Sequence, residues 1–360
     1  MSRKDRTGRF MMWRNRPEAA GCAPISIFRI AAIDGVSFAA SKQQARWLVK
    51  LSLTLFFTLL GAAAVDQVQS AESPAPKAVL VTGASTGIGR KITERLTADG
   101  YFVYAGARKP EDLKALGAMK NVQAVRLDVT HPEDIAAALE TITKAGRGLY
   151  GLVNNAGIAT VGSIADMKFE EYELVMDVNA GGPVRMIKAF EPLVIEQKGR
   201  IVNIGSISGI LGVPNLAAYE MSKHAVEALT DALAGQLPEV GVRVSVVEPG
   251  NYNSDIGKSA LTRMGADSAA ARATGLAARA DRSRYKDPDE VAAAVEQALF
   301  EPEPKRRYLV VPNQEEAEIT IRKQIEQLVQ LNEGQPYSYD RMALVKMLDD
   351  ALAKARPQTH

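Results

Sequence analysis

From Lys77 onward, short apolar runs alternate with longer segments whose apolar positions recur every three or four residues. "KAVLVTG" is an apolar run ending in glycine, and "IGRKITERLTADG" reads as a helix stopped at Gly100. "YFVYAGA", "NVQAVRLDV" and "LYGLVNNAG" supply a second, third and fourth strand, with helical patterns between them. One such helix runs from Pro132 to Ala145, where proline suits the first turn. "GRIVNIGS" is a fifth strand, a helix containing Tyr219 follows, and "VRVSVVEPG" is a sixth. Residues 287–300 read as another helix and "RRYLVV" as a seventh strand. Apolar strands alternating with helices predict the α/β class: one doubly wound domain with a parallel sheet of about seven strands and helices on both faces. Residues 251–287 are rich in Ala and Arg and weakly patterned, as substrate loops after a strand's C-terminal end tend to be. No repeat of solenoid length is present.

The ends of the chain read differently. Residues 1–46 form a basic, unpatterned segment, residues 47–65 a hydrophobic signal or anchor, and residues 66–76 a linker with a Pro-rich end. Lys42, Arg46 and Lys50 precede the apolar run, Leu51 to Val65, which has about the length of a signal-peptide core and is short for a full span unless Trp47 to Val49 join it. Export or membrane association through residues 47–65 is the expectation, with the basic flank kept cytoplasmic. A cytoplasmic protein with a misassigned start is the other reading. Residues 77–312 read as the α/β domain, and residues 313–360 as a helical extension.

Composition narrows the chemistry. The 360 residues are 46% hydrophobic and 24% charged, with net charge +2. Residues 1–76 carry +5 and the remainder −3, so the folded part has no basic footprint for nucleic acid. One cysteine, Cys22, excludes an intrachain disulfide and a Cys-based metal site. His131, His224 and His360 form no cluster in sequence, which argues against zinc.

"VTGASTGIGR" lies between the first strand and the first helix, where Gly83, Gly87 and Gly89 permit a tight turn and close approach to a pyrophosphate. After the second strand, Ala107 stands where a carboxylate would meet a ribose 2′-hydroxyl, and Arg108 and Lys109 follow. Arginine's preference for phosphate favours NADP(H), with NAD(H) as the alternative. Tyr219 and Lys223 share one helix face four residues apart, where an ammonium would lower the phenol's pKa. Taken alone, that pair also fits a half-buried tyrosine beside a solvated lysine.

"TGASTGIG", "NNAG" from Asn154 to Gly157, "DVNAGG" around Asn179, "IVNIGS" ending at Ser206, "YEMSK" from Tyr219 to Lys223 and "EPG" from Glu248 to Gly250 occur in one order. Together they resemble the short-chain dehydrogenase/reductase family over residues 77 to about 312, a Rossmann fold. Ser206 lies 13 residues before Tyr219, as in that family. The resemblance implies Tyr219 as the acid/base, Lys223 lowering its pKa and binding the nicotinamide ribose, Ser206 holding the substrate oxygen, and Asn179 anchoring a water. It implies cofactor contacts from Gly83, Ser85, Thr86, Gly87, Ile88 and Gly89, from Asp128 to the adenine, from Asn155, Ala156 and Gly157, and from Pro249, Gly250 and Ser254. Asp128 has a bland alternative as a helix cap, although Thr130 suits that place better. Glu248 departs from the asparagine frequent before the family's Pro-Gly.

The resemblance implies an NADP(H)-dependent oxidoreductase interconverting an alcohol and a ketone or aldehyde. The tail and insert resemble the retinol- and steroid-dehydrogenase-like branch, which implies an apolar substrate. Family members assemble as homodimers or homotetramers, so an oligomer is expected. A nucleotide-sensing protein without turnover is the competing reading from another class. A sugar-nucleotide epimerase would need a larger C-terminal domain than this tail supplies.

Overall fold

The computed structural model describes residues 75–265, 272, 275 and 281–355. The hydrophobic segment 47–65 lies outside them. Among the described residues no helix is long and apolar enough to cross a membrane.

Seven parallel strands form one sheet: β1 (Ala78–Val81), β2 (Phe102–Ala107), β3 (Val122–Arg126), β4 (Gly151–Asn154), β5 (Arg200–Ile204), β6 (Arg243–Pro249) and β7 (Arg307–Val310). Their order is β3-β2-β1-β4-β5-β6-β7, so the winding direction reverses between β1 and β4. A crevice opens at such a reversal, outside the carboxyl ends of the strands. All four residues of β1 and of β4 are buried, as continuous apolar strands covered on both faces must be.

Four helices alternate with the first strands: α1 (Gly87–Ala98), α2 (Pro110–Gly117), α3 (Pro132–Ala145) and α4 (Phe169–Met176). α5 (Gly182–Glu196) precedes β5, and α6 (Ala217–Gln236) precedes β6. α7 (Ile256–Met264) gives the weakly patterned insert a helix, and α8 (Asp289–Phe300) leads into β7. One core layer packs Ile92 and Leu96 of α1 and Val291 and Val295 of α8 on Val79 and Val81. The opposite layer packs Ile135 and Ile142 of α3 and Met186 and Phe190 of α5 on Leu80 and Tyr104.

The extension forms α9 (Gln314–Asn332) and α10 (Arg341–Ala355). Asn313 caps α9 by accepting the Glu316 N–H at 2.9 Å. Glu316 itself accepts from the Asn251 N–H at 2.8 Å, which ties α9 to the chain after β6.

Phe190 is fully buried where α5 meets the sheet. Phe190→Ala is expected to lower the unfolding free energy by about 3–5 kcal/mol, read from urea denaturation with an unchanged m-value.

Candidate active site

The turn after β1 is shaped by two glycines in the left-handed region, Gly83 at φ +65° and Gly87 at φ +55°. A Cβ on Gly87 would lie 3.2 Å from the Ser254 side chain, and one on Gly83 would lie 2.9 Å from Ala156 Cα. The turn therefore nests between the chain after β4 and the chain after β6, the neighbourhoods of Asn155–Gly157 and of Ser254. Thr86 stands at the N-cap of α1 without capping it, and the first turn holds no acidic residue. By contrast, α2, α3, α4, α8 and α9 each begin with two acidic residues. The N–H groups and positive dipole end of α1 are left open to an anion. A pyrophosphate fits this cradle.

Thr82 ties the two strands at the reversal. Its Oγ1 accepts the Asn155 and Ala156 N–H groups at 2.9 and 3.0 Å. Asn155 Nδ2 donates to the carbonyls of Thr82 and Gly83 at 2.9 and 3.0 Å. Asn155 thus holds the glycine turn against β4.

At the end of β2, Arg108 is mostly exposed and reaches Asp128 at 3.4 Å. Lys109 is exposed and stands at the N-cap of α2. Asp128 does not cap α3, and neither does Thr130: His131 occupies that N-cap. Asp128 instead closes a turn on Thr130, accepting from its N–H at 3.0 Å and its hydroxyl at 2.7 Å. Burial works against ionising Asp128, but the Thr130 donors and the Arg108 charge outweigh it and hold the carboxyl below its usual range.

Asn179 sits in a π-helical segment, Asp177–Gly181, that joins α4 to α5. Pro183 has no N–H for the Asn179 carbonyl four residues back. The ladder steps out of register there, and the Gly182 N–H donates to the Asp177 carbonyl, five residues back. The buried Asn179 side chain accepts the Ile158 N–H at 2.8 Å and donates to the Ile158 carbonyl at 2.8 Å and Ser222 Oγ at 2.9 Å. Both amide N–H groups are used, so the side chain clamps the chain after β4.

Ser206 follows β5. Its hydroxyl caps a short 3-10 turn, Ile207–Gly209, by accepting the Ser208 N–H at 3.1 Å. The Tyr219 phenol, on the first turn of α6, lies near enough for the Ser206 hydroxyl to act on its pKa. Pro249 also lies here: its carbonyl is 3.5 Å from Ser206 Oγ. Lys223 is 5% exposed and donates to the Ile204 carbonyl at 2.9 Å, with Nζ 5.7 Å from the Tyr219 ring centroid. Ser206, Tyr219 and Lys223 thus converge at the carboxyl end of β5. Gly250 donates to Val310 at 2.8 Å and packs against the Glu316 carboxylate, so it faces the extension as well as the site.

Protonation departs from the expected pattern. Burial holds the Tyr219 phenol above its ordinary range, while Ser206 and the Arg282 charge act in the other direction. Lys223 does not lower it here, because burial takes the lysine's own pKa down to about 8 and its Nζ is turned to Ile204.

Several residues with a part in this geometry are not among the sequence candidates. Thr82, Ser222 and Glu316 act through contacts 43 to 73 residues away in the chain, except where a neighbouring motif happens to contain them. Thr82 opens "TGASTGIG" and Ser222 lies inside "YEMSK", so both stand within motifs legible in the sequence, whereas Glu316 stands in none.

A glycine turn with an open helix end at the winding reversal, beside a serine, tyrosine and lysine, defines a doubly wound nucleotide-binding domain. A family model described as short chain dehydrogenase matches residues 77–264, more than half of the chain, and the chain belongs to that family. It resembles the mitochondrial D-beta-hydroxybutyrate dehydrogenase of Bos taurus, 40% identical over 201 residues that cover 53% of this chain and 57% of the relative. It also resembles retinol dehydrogenase 5 of Mus musculus, 35% identical over 184 residues covering 49% and 57%. The chain spans under two thirds of the length of these relatives. A short-chain dehydrogenase structure from Streptomyces avermitilis superposes with a TM-score of 0.61 at 28% identity, covering 72% of this chain and 96% of its own.

Asn179→Ala leaves the Ile158 N–H and carbonyl and the Ser222 hydroxyl without their buried partner. It is expected to cost about 1–3 kcal/mol of stability and to speed deuterium exchange at the Ile158 amide, measured by NMR.

Proposed function

We propose that the protein is an NADP(H)-dependent oxidoreductase that interconverts an alcohol with a ketone or aldehyde on a mainly apolar small molecule. The observation that carries this reading is the convergence of Ser206, Tyr219 and Lys223 beside the open end of α1. When bound, the dinucleotide supplies or accepts the hydride. Tyr219, held protonated at neutral pH by burial, gives its proton to the substrate oxygen during reduction. Ser206 donates to the same oxygen, so charge developing there meets two hydroxyls. Lys223 supplies the cation beside the phenol and would bind the nicotinamide ribose of the dinucleotide. Asn179 keeps the chain after β4 in place through Ile158.

The preference for NADP(H) rests on Arg108 and Lys109 and on the absence of a carboxylate at Ala107. Arg108 meets Asp128 at the long end of hydrogen bonding, which leaves guanidinium N–H groups for a phosphate. The apolar substrate rests on the small cluster of Val161, Leu216, Ala260, Leu261 and Met264, where α7 closes over the chain after β4. An assembly of identical subunits is supported by an open apolar groove between α5 and α6, lined by Val184, Ile187, Ile195, Leu229 and Leu233. The basic-flanked apolar run within residues 47–65 supports a membrane-attached or exported chain.

The test is NADPH oxidation against a panel of apolar ketones and aldehydes. Tyr219→Phe is expected to lose about 10²–10⁴-fold in turnover while NADPH binding, followed by fluorescence, is retained. In the parent, kcat/KM for reduction is expected to fall as pH rises past about 8, where Lys223 gives up its charge. Turnover unchanged in Tyr219→Phe would sink the assignment. Arg108→Ala is expected to weaken NADPH about 10–100-fold, the worth of a charged hydrogen bond, and to leave NADH affinity nearly unchanged by calorimetry.

A further inference from the structure

Tyr219, Lys223 and Glu227 are spaced four residues apart on α6 and form one stripe on its inner face. Glu227 is 8% exposed. One of its oxygens, Oε2, accepts from Arg307 Nη1, on the edge strand β7. The other, Oε1, is buried and has no hydrogen-bond partner among the described residues. That oxygen sits in a notch of two glycines beneath the Ser206 turn. A Cβ on Gly205 would fall 2.5 Å from it, and one on Gly209 would fall 3.0 Å from it. Neither glycine has a positive φ, so space is what limits both positions: Glu227 crowds each of them, joined by the Val246 side chain at 2.8 Å from a Gly205 Cβ and by the Lys223 carbonyl at 3.2 Å from a Gly209 Cβ.

The charged groups around Glu227 come from three elements. α6 supplies Lys223 one turn before it and Asp231 one turn after it. β6 supplies Glu248, 3% exposed, which accepts from the same Arg307 nitrogen at 2.9 Å. β7 supplies Arg307, whose other nitrogen meets Asp231 at 2.7 Å, and Arg306, 4.0 Å from Asp231. Two buried carboxyl groups thus share one guanidinium, and Lys223 is the next cation along the stripe.

We propose that Glu227 is a positioning residue of the active site: it seats the Ser206 turn through the Gly205–Gly209 notch and governs whether Lys223 carries its proton. The proposal rests on the catalytic reading of Lys223 given above. Burial and the Glu248 charge push the Glu227 carboxyl up to about 8, against the pull of Arg307. Burial brings Lys223 down to about 8, and the Glu227 charge acts to raise it. Burial thus raises one group and lowers the other, moving them toward each other, and the Glu227 charge favours the charged form of Lys223.

The test is the titration of Lys223 in the full-length protein labelled with ¹³C at lysine Cε, its resonance identified by loss in Lys223→Met. Glu227→Gln keeps the shape and the Arg307 contact and removes the charge. It is expected to move the Lys223 midpoint down by about one pH unit and to carry the high-pH limb of kcat/KM with it. Glu248→Gln removes the competing carboxylate, lets Glu227 ionise earlier, and is expected to move both upward. Opposite directions are a signature that loss of packing does not produce. Unmoved midpoints in both variants, or movement in the same direction, would overturn the proposal. If Glu227→Gln does not fold, the upward shift in Glu248→Gln decides alone. The resonance does not depend on turnover. Shifted midpoints in a chain that reduces no carbonyl would remove the proposed activity and keep the coupling, whereas Tyr219-dependent turnover with unmoved midpoints would do the reverse.

Discussion

An ammonium group buried beside the sheet constrains the rest of the site. Taking such a group out of water costs several kcal/mol unless protein atoms replace the water. Lys223 receives a carbonyl from Ile204 at the end of β5 and a neighbouring carboxyl group from Glu227. Both fit only if α6 lies close over the carboxyl end of the sheet. The Ser206 turn can lie between them only if it is slim, and Gly205 and Gly209 make it so. On the other side, a Cβ on Gly157 would come 3.8 Å from Lys223 Nζ and 3.4 Å from Asn179 Oδ1. The three loops that meet here are therefore set by the need to enclose one cation.

A second electrostatic demand sits at the neighbouring strand. The helix ends of α2, α3, α4, α8 and α9 are each met by two carboxylates of their own first turn. α1 begins with glycine, isoleucine and glycine, and among the described residues no acidic side chain of its first turn and no side-chain cap answers its dipole. Thr82 and Asn155 spend their hydrogen bonds on holding the turn open in front of that end. The positive helix end and the buried lysine both face the crevice where the winding reverses, which suits a ligand with a phosphate at one end and a reacting carbon at the other.

Much of this was legible in the sequence because the deciding patterns are local. Buried parallel strands are continuous apolar runs, and all seven were found. Pro132 at a first turn and Gly100 past a last turn marked helix ends that the structure reproduces closely. The weakly patterned insert hid α7, which at nine residues is short, although Ile256, Ala260, Leu261 and Met264 recur on one face. The tyrosine–lysine spacing correctly put two side chains on one face. It did not reveal that burial would hold the phenol up against Ser206 and the Arg282 charge, since desolvation depends on what the fold packs around a group. Asn179 was legible as a site position, but its amide is used by Ile158 and Ser222, contacts 21 and 43 residues away. Asp128 and Thr130 competed as caps in sequence and turn out to bond each other.

The unusual Glu248 shows what a departure from a family pattern can mean. Alone, a buried carboxylate on a central strand would be costly. Arg307 meets it from β7 and meets Glu227 and Asp231 as well, from 59 to 80 residues away in sequence. Asp231 also has Arg306 at 4.0 Å, so within the buried cluster two carboxyl groups, Glu227 and Glu248, stand against the one guanidinium of Arg307 and leave a negative charge without a partner. A charged Lys223 balances it, and so does a proton on Glu227. Both arrangements have the same net charge and differ only in which of the two groups holds the proton. The edge strand thereby enters the chemistry of a site it does not touch: Arg307 sets how readily Glu227 ionises, Glu227 biases Lys223, and Lys223 stands beside the phenol.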